Sequence, residues 1–450
     1  MVVDSRLGDK PVILQWIGEF DSVQMLWLLL CSLLLLVSLL PGCLGLLTRG
    51  VRLHETLVDP AHWLSFAIVH VMAWVVILFS LAFGPSAGTI PESGASAAPG
   101  KMEDMIREAG QTVDQRHLFG RGGFLGDLHF AGFRNLEVQG NTDEPYFASR
   151  RPHHSLALSA FLCLQLSIYL CAVLTVVAVA STSRATPARI LLFSLLWGSL
   201  VYAPAVHWVW GEGWLGIRGA IDTGGSLFML IVSGSILGIL RYRRDETTDP
   251  HQSTRWVRWD GILQHASAAA FLFGYLLLMC SLGVPVSQLR AVAFLNGIIA
   301  ACGGFLVYAL LQMLIPDRTR QQTSVTGFLC GTISVAAGCT MFDPQTAFTC
   351  GILAGATGFM ACAVAFRFRL PMAYETPLSA SVAAVLGMLI VGICGSSANG
   401  VLNWNREPIN SVMHGQTALL GLQALAVVCI LVYAFIVSRL LGRAFLRSAK

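Results

Sequence analysis

The chain has 450 residues, of which 55% are hydrophobic and 12% charged, with a net charge of +4. Soluble domains carry roughly twice that share of charge, so a water-soluble fold of this length has no way to hide so much apolar side chain. The small basic excess needs no nucleic-acid reading, because topology accounts for it.

With about 20 apolar residues needed to cross a bilayer, the sequence yields eleven candidate spans, centred near residues 35, 72, 167, 197, 231, 271, 302, 332, 356, 387 and 428. The predicted fold class is therefore all-α: a polytopic membrane protein with eleven transmembrane helices. Residues 1–22 hold Asp4, Arg6, Asp9, Lys10, Glu19 and Asp21 and no continuous apolar stretch, so no cleaved signal peptide is expected there. Arg49 and Arg52 follow the first span, Arg184 and Arg189 lie between the third and fourth, and Arg241, Arg243, Arg244, Arg255 and Arg258 fill the next loop on that side. The same side takes Arg318, Arg320, Arg367 and Arg369 and the tail residues Arg439, Arg443, Arg447 and Lys450, against Arg218, Arg290 and Arg406 in the short loops opposite. The positive-inside rule then predicts an external N-terminus and a cytoplasmic C-terminus, in a plasma or inner membrane. An odd number of spans requires that split.

The domain reading follows: an external segment over 1–22 and a membrane domain over 23–450, with an external loop insertion at 85–153. Gly88 to Gly110 of that loop reads as flexible linker. Gly120 to Leu128 mixes glycine with apolar anchors such as Phe124 and Leu125 and can fold back on an external vestibule; it lacks the Gly-Lys-Ser/Thr ending of a phosphate loop. All twelve cysteines fall in or at the ends of spans, which argues against a disulfide framework in the loops. Spans one to five and six to ten form two sets of five. Consecutive sets with an odd count must be oppositely oriented, as in an inverted repeat with a pathway between its halves, leaving the eleventh span over. Glycines such as those of Gly351-Ile352-Leu353-Ala354-Gly355 supply the close helix contacts such a bundle needs.

The most informative stretch runs from Leu192 through Trp197-Gly198-Ser199-Leu200-Val201-Tyr202-Ala203-Pro204 to His207-Trp208-Val209-Trp210-Gly211-Glu212-Gly213-Trp214, then Gly219-Ala220-Ile221-Asp222-Thr223-Gly224-Gly225. It resembles the fourth-to-fifth span region of the ammonium transporter and Rhesus protein family. Leu40-Pro41-Gly42, Ser80 to Pro85, Gly123 to Asp127 and Gln416 to Ser438 match in family order. The resemblance implies a homotrimer with a pore in each subunit, no cofactor, and ammonium taken up at an external vestibule. It places Trp210 at that vestibule, where an indole face attracts a cation; the alternative is that Trp208, Trp210 and Trp214 form an interfacial aromatic belt. Asp222 opens the fifth span, where a carboxylate caps free amides and, by the resemblance, also stabilises a cation without touching it.

The family's two pore histidines have no counterparts. The fifth-span position falls on Leu230, or on Met229 with one residue deleted after Asp222, and the tenth-span position falls on Ala384. The family's phenylalanine gate falls on Ile168 and Leu278. A lumen of Ile168, Leu230, Leu278 and Ala384 opposes ions and admits small neutral solutes. His70, deep in the second span, reads as a packing histidine. His117, His129, His153 and His154 lack the partners of a metal site, and none is expected. Two functions stay open: a transporter of ammonium, ammonia or another small neutral solute, or a non-conducting relative acting as sensor, assembly partner or scaffold. An enzyme is not expected, since no HExxH or nucleophile elbow occurs in the spans.

Overall fold

A computed structural model describes residues 22–47, 60–84, 86–87, 122–128, 130–133, 146–147, 151–152, 155–211, 213–243, 254–282, 287–315, 324–397 and 409–447. Eleven helical spans run through them: α1 (Ser22–Leu47), α2 (Pro60–Ala73 continuing through Trp74–Leu78 to Phe79–Phe83), α3 (Ser155–Ala180), α4 (Pro187–Trp210), α5 (Ser226–Tyr242), α6 (Thr254–Leu282), α7 (Ser287–Leu314), α8 (Val325–Ala336), α9 (Pro344–Arg367), α10 (Glu375–Cys394) and α11 (Ala418–Phe445). Nine are long and apolar enough to cross a membrane unaided; α5 and α8 are shorter. The fold is all-α; a two-residue antiparallel ladder pairs Tyr146–Phe147 with Arg151–Pro152 in the stretch before α3. The N-terminal segment up to Asp21 and the Gly88 to Gly110 linker lie outside the described residues.

The helix neighbours repeat with a shift of five. In one half α1 packs on α3, α2 on α4 and α3 on α5; in the other α6 packs on α8, α7 on α9 and α8 on α10. The equivalent helices also meet each other, α1 with α6 and α5 with α10. That pattern is an inverted repeat, and α11 stands outside it, packed along α4, α5 and α10.

Close approach uses the glycines the sequence singled out. A Cβ on Gly351 would lie 2.2 Å from the Ala300 carbonyl oxygen, and one on Gly355 2.4 Å from that of Gly304, so α9 rests directly on the backbone of α7. Without a hydrophobic drive between helices in lipid, contact of this kind is the main source of association.

The two short helices explain each other. The segment before α5 and the turn after α8 are irregular, and they meet: the Thr223 N–H donates to the Ala337 carbonyl at 3.0 Å and its hydroxyl to the same oxygen at 3.1 Å. The Asn296 side-chain amide donates to the carbonyls of Cys339 and Phe342 at 2.9 and 2.7 Å, closing the turn from α7. Irregular backbone at membrane depth is tolerated where protein buries and satisfies it.

In α4, Gly198–Tyr202 forms a π-helical turn just before Pro204. Proline has no N–H to give the carbonyl four residues back, which is that of Leu200. The Tyr433 hydroxyl of α11 donates to that oxygen instead, at 2.6 Å.

Candidate functional site

The site is built where α5 begins. Gly225 holds φ of +98°, a left-handed conformation suited to glycine, and a Cβ there would meet Leu278 at 2.8 Å. This turn aims the first amides of α5 back at Asp222. One carboxylate oxygen accepts from Gly225 and Ser226 at 3.1 and 3.0 Å, the other from Leu227 at 2.8 Å. The capping role read from the sequence is thus the one its geometry displays, and both oxygens are engaged by backbone.

Two further side chains fix the segment. The Gln423 amide of α11 pairs with Ile221 in both directions, donating to its carbonyl at 2.8 Å and accepting from its N–H at 3.2 Å. The Tyr275 hydroxyl of α6 donates to the Gly225 carbonyl at 2.9 Å. Leu278, one turn on from Tyr275, lies against Gly225, and Met279 against Gly224.

The three tryptophans part company by helical phase. Trp208 donates its indole N–H to the Phe124 carbonyl at 2.8 Å and packs with Phe124, Trp214 and Tyr433, centroids 6.3, 5.9 and 4.8 Å away. Arg218 lies over Trp214 at 5.5 Å. Trp210, two residues on and so about 200° around the helix, is turned to the other side and is 7% exposed. The Gly123 to Leu128 segment folds back on the C-terminal ends of α2 and α4. The Gly126 N–H donates to the Leu81 carbonyl at 2.9 Å and the Gly123 N–H to the Ser86 hydroxyl at 2.9 Å. Ser86 in turn meets His207 Nε2 at 3.1 Å, while Nδ1 donates to the Ala82 carbonyl at 3.1 Å, so Nδ1 carries a hydrogen.

His70 is a packing residue: its nitrogens meet the Tyr169 hydroxyl at 2.7 Å and the Ser194 hydroxyl at 2.9 Å. His117, His129, His153 and His154 lie outside the described residues.

Of the residues expected to line a pathway, Ile168, Leu230, Leu278 and Ala384 are all fully buried, as is Met229. A contact absent from the sequence reading sets the register of α5 on α10: the Ser381 hydroxyl donates to the Ser233 hydroxyl at 2.7 Å, and Ser233 donates to the Met229 carbonyl at 2.5 Å. Helices five crossings apart run in opposite directions, so three residues back from Ser233 is level with three residues on from Ser381. Leu230 and Ala384 therefore share a level about 4.5 Å from the serine pair. Among these residues no side chain titrates near neutral pH. The signal for the pair was present, serines at i±3 from the two lumen positions, but neither span alone shows that they meet.

An inverted repeat of five-helix halves, joined along α1–α6 and α5–α10, with a capped broken segment opening α5, is the frame of a membrane transporter fold. A model of the Ammonium Transporter Family matches residues 26–446, and the chain belongs to that family. The ammonium transporter of Bacillus subtilis is 27% identical over 324 residues, 70% of this chain and 74% of the relative. The ammonium transporter Amt1 of Archaeoglobus fulgidus is 27% identical over 59% of this chain and 66% of its own length. Among solved structures, a mutant of Mep2 from Candida albicans superposes with a TM-score of 0.72 at 17% identity, covering 96% of this chain and 88% of that one.

Proposed function

We propose that this chain passes ammonia, or a neutral solute of similar size and polarity, along the α5–α10 seam of each subunit. The observation that carries the reading is the family frame kept around an apolar seam. Trp210 and Asp222 are the residues the family resemblance would put at a vestibule, while Ile168, Met229, Leu230, Leu278 and Ala384 offer no group that holds a charge. A charge at the bilayer centre costs at least about 2.5 to 3.5 kcal/mol. At about 1.4 kcal/mol per factor of ten, that disfavours the ion roughly 100-fold. A neutral molecule escapes this penalty. Its passage requires the seam to open, and Met229 and Met279, unbranched and flexible, are suited to move aside. On this reading Trp210 and Asp222 act at the outer end, the indole through its face and the carboxylate through its field, and the protein is a homotrimer in the plasma membrane with its N-terminus outside.

Proteoliposomes loaded with a pH dye test the transport step. An ammonium chloride gradient should alkalinise the lumen faster than in empty vesicles, with no current on a supported membrane. A current like that of a histidine-containing family member refutes neutral passage. Absence of both flux and current favours the second reading, a non-conducting sensor or assembly partner, to which the fully buried seam lends support. Tags after Lys450 and near Ser96 should map to the cytoplasmic and external sides respectively, and native mass measurement should give three copies.

A further inference from the structure

We propose that the Ser233–Ser381 pair is the hydrogen-bonding station of the seam, the place where a neutral amine-type solute is held between its two aqueous sides. The inference rests on the transport reading above and adds the residues that select the solute.

The argument starts from the direction of the hydroxyl chain. Ser233 gives its proton to the Met229 carbonyl, and Ser381 gives its proton to Ser233. The Ser381 oxygen thus ends the chain with lone pairs free to accept an N–H. Both residues are buried, at 0% and 3% exposure, so water does not compete for that oxygen. Outward of the pair, the Leu230 and Ala384 level and Met229 side chain offer a solute no hydrogen bond. An ammonia molecule stripped of water there meets its first side-chain acceptor at Ser381. If the Ser381 hydroxyl rotates away from Ser233, it can also donate to the nitrogen lone pair, because a hydroxyl turns to suit its partner. A serine pair does this without taking up a proton near neutral pH, whereas an imidazole pair titrates there. The station therefore favours small molecules with both N–H donors and a lone pair, such as ammonia and free-base methylamine.

A purely structural clasp between α5 and α10 is the competing account, and the flux assay separates the two. Ser381→Ala removes donor and acceptor together; the ammonia-driven alkalinisation rate should fall about tenfold, the worth of roughly one hydrogen bond, with native mass and melting behaviour retained. Ser381→Thr restores a hydroxyl and should recover the rate to within about threefold. Should the larger threonine prevent folding, Ser381→Cys supplies similar volume with a weak hydrogen-bonding group and should behave like alanine. Ser233→Ala leaves the Ser381 hydroxyl in place and should cost less than Ser381→Ala. Unchanged or faster flux in Ser381→Ala, or serine-like flux in Ser381→Cys, overturns the station and leaves only a clasp. No flux from the unaltered protein overturns the transport reading itself, and the station with it.

Discussion

Gln423 ties the segment that opens α5 to α11, and its replacement by leucine tests how much that tie holds. The amide is fully buried on α11 and makes both of its hydrogen bonds to Ile221, the residue before Asp222. Leucine fills similar space and pairs with neither backbone group. A buried donor or acceptor left without a partner costs about 1 to 3 kcal/mol, so losing both hydrogen bonds should cost about 2 to 6 kcal/mol. Gln423→Glu should be at least as damaging: one oxygen still accepts from the Ile221 N–H, but the other now faces the Ile221 carbonyl and a charge is buried without a cationic partner. Denaturant melts of the detergent-solubilised protein, followed by tryptophan fluorescence, measure the loss. Hydrogen exchange over residues 219–227 localises it, since the segment should open while the long helices stay protected. A change within about 0.5 kcal/mol in Gln423→Leu, with exchange there unaltered, would show that α11 does not hold the segment and refute the reasoning.

Three further outcomes are expected. Gly225→Ala should lose at least about 1 kcal/mol, from the left-handed backbone and the 2.8 Å approach to Leu278, in the same melts. Tyr433→Phe strands the Leu200 carbonyl on a lipid-facing helix and should cost about 1 to 3 kcal/mol; the loss should shrink in a Pro204→Ala background, where residue 204 regains its N–H. Leu230→His alone leaves an unpartnered imidazole at roughly 1 to 3 kcal/mol, while adding Ala384→His at the same level should yield a coupling of about 0.5 kcal/mol or more in a double-mutant cycle; additive losses would disprove the shared level.

The spans were legible because a bilayer dictates their length and backbone satisfaction dictates their form. Even α5 and α8, short as regular helices, showed as apolar runs. The odd count per half alone then led to the inverted repeat that the helix neighbours display. Asp222 could be read as a cap because its partners, Gly225, Ser226 and Leu227, lie within its own next five residues. His70 could be read as a packing residue, but its partners Tyr169 and Ser194 come from other helices and were not legible. The same limit hid Gln423, Tyr275 and the Ser233–Ser381 contact: each pairs residues from distant helices, and register between helices is written in neither one. Pro204 lies between these cases. The orphaned carbonyl of Leu200 follows from the sequence, whereas the hydroxyl that rescues it had to come from packing.

These contacts also explain how a family frame can persist around a changed interior. The opening of α5 is held by Asp222 on its own amides, by Thr223 on the end of α8, by Tyr275 from α6 and by Gln423 from α11. None of these groups belongs to the level of Leu230 and Ala384. The side chains at that level can therefore differ without unfastening any of the four ties. On the transport reading such a change would be chemical: the imidazoles that the family resemblance implies would give way to apolar side chains, with the Ser233–Ser381 pair about 4.5 Å away offering hydrogen bonds. A frame fastened at the start of α5 can thus keep its architecture while the side chains at the level of Leu230 and Ala384 vary.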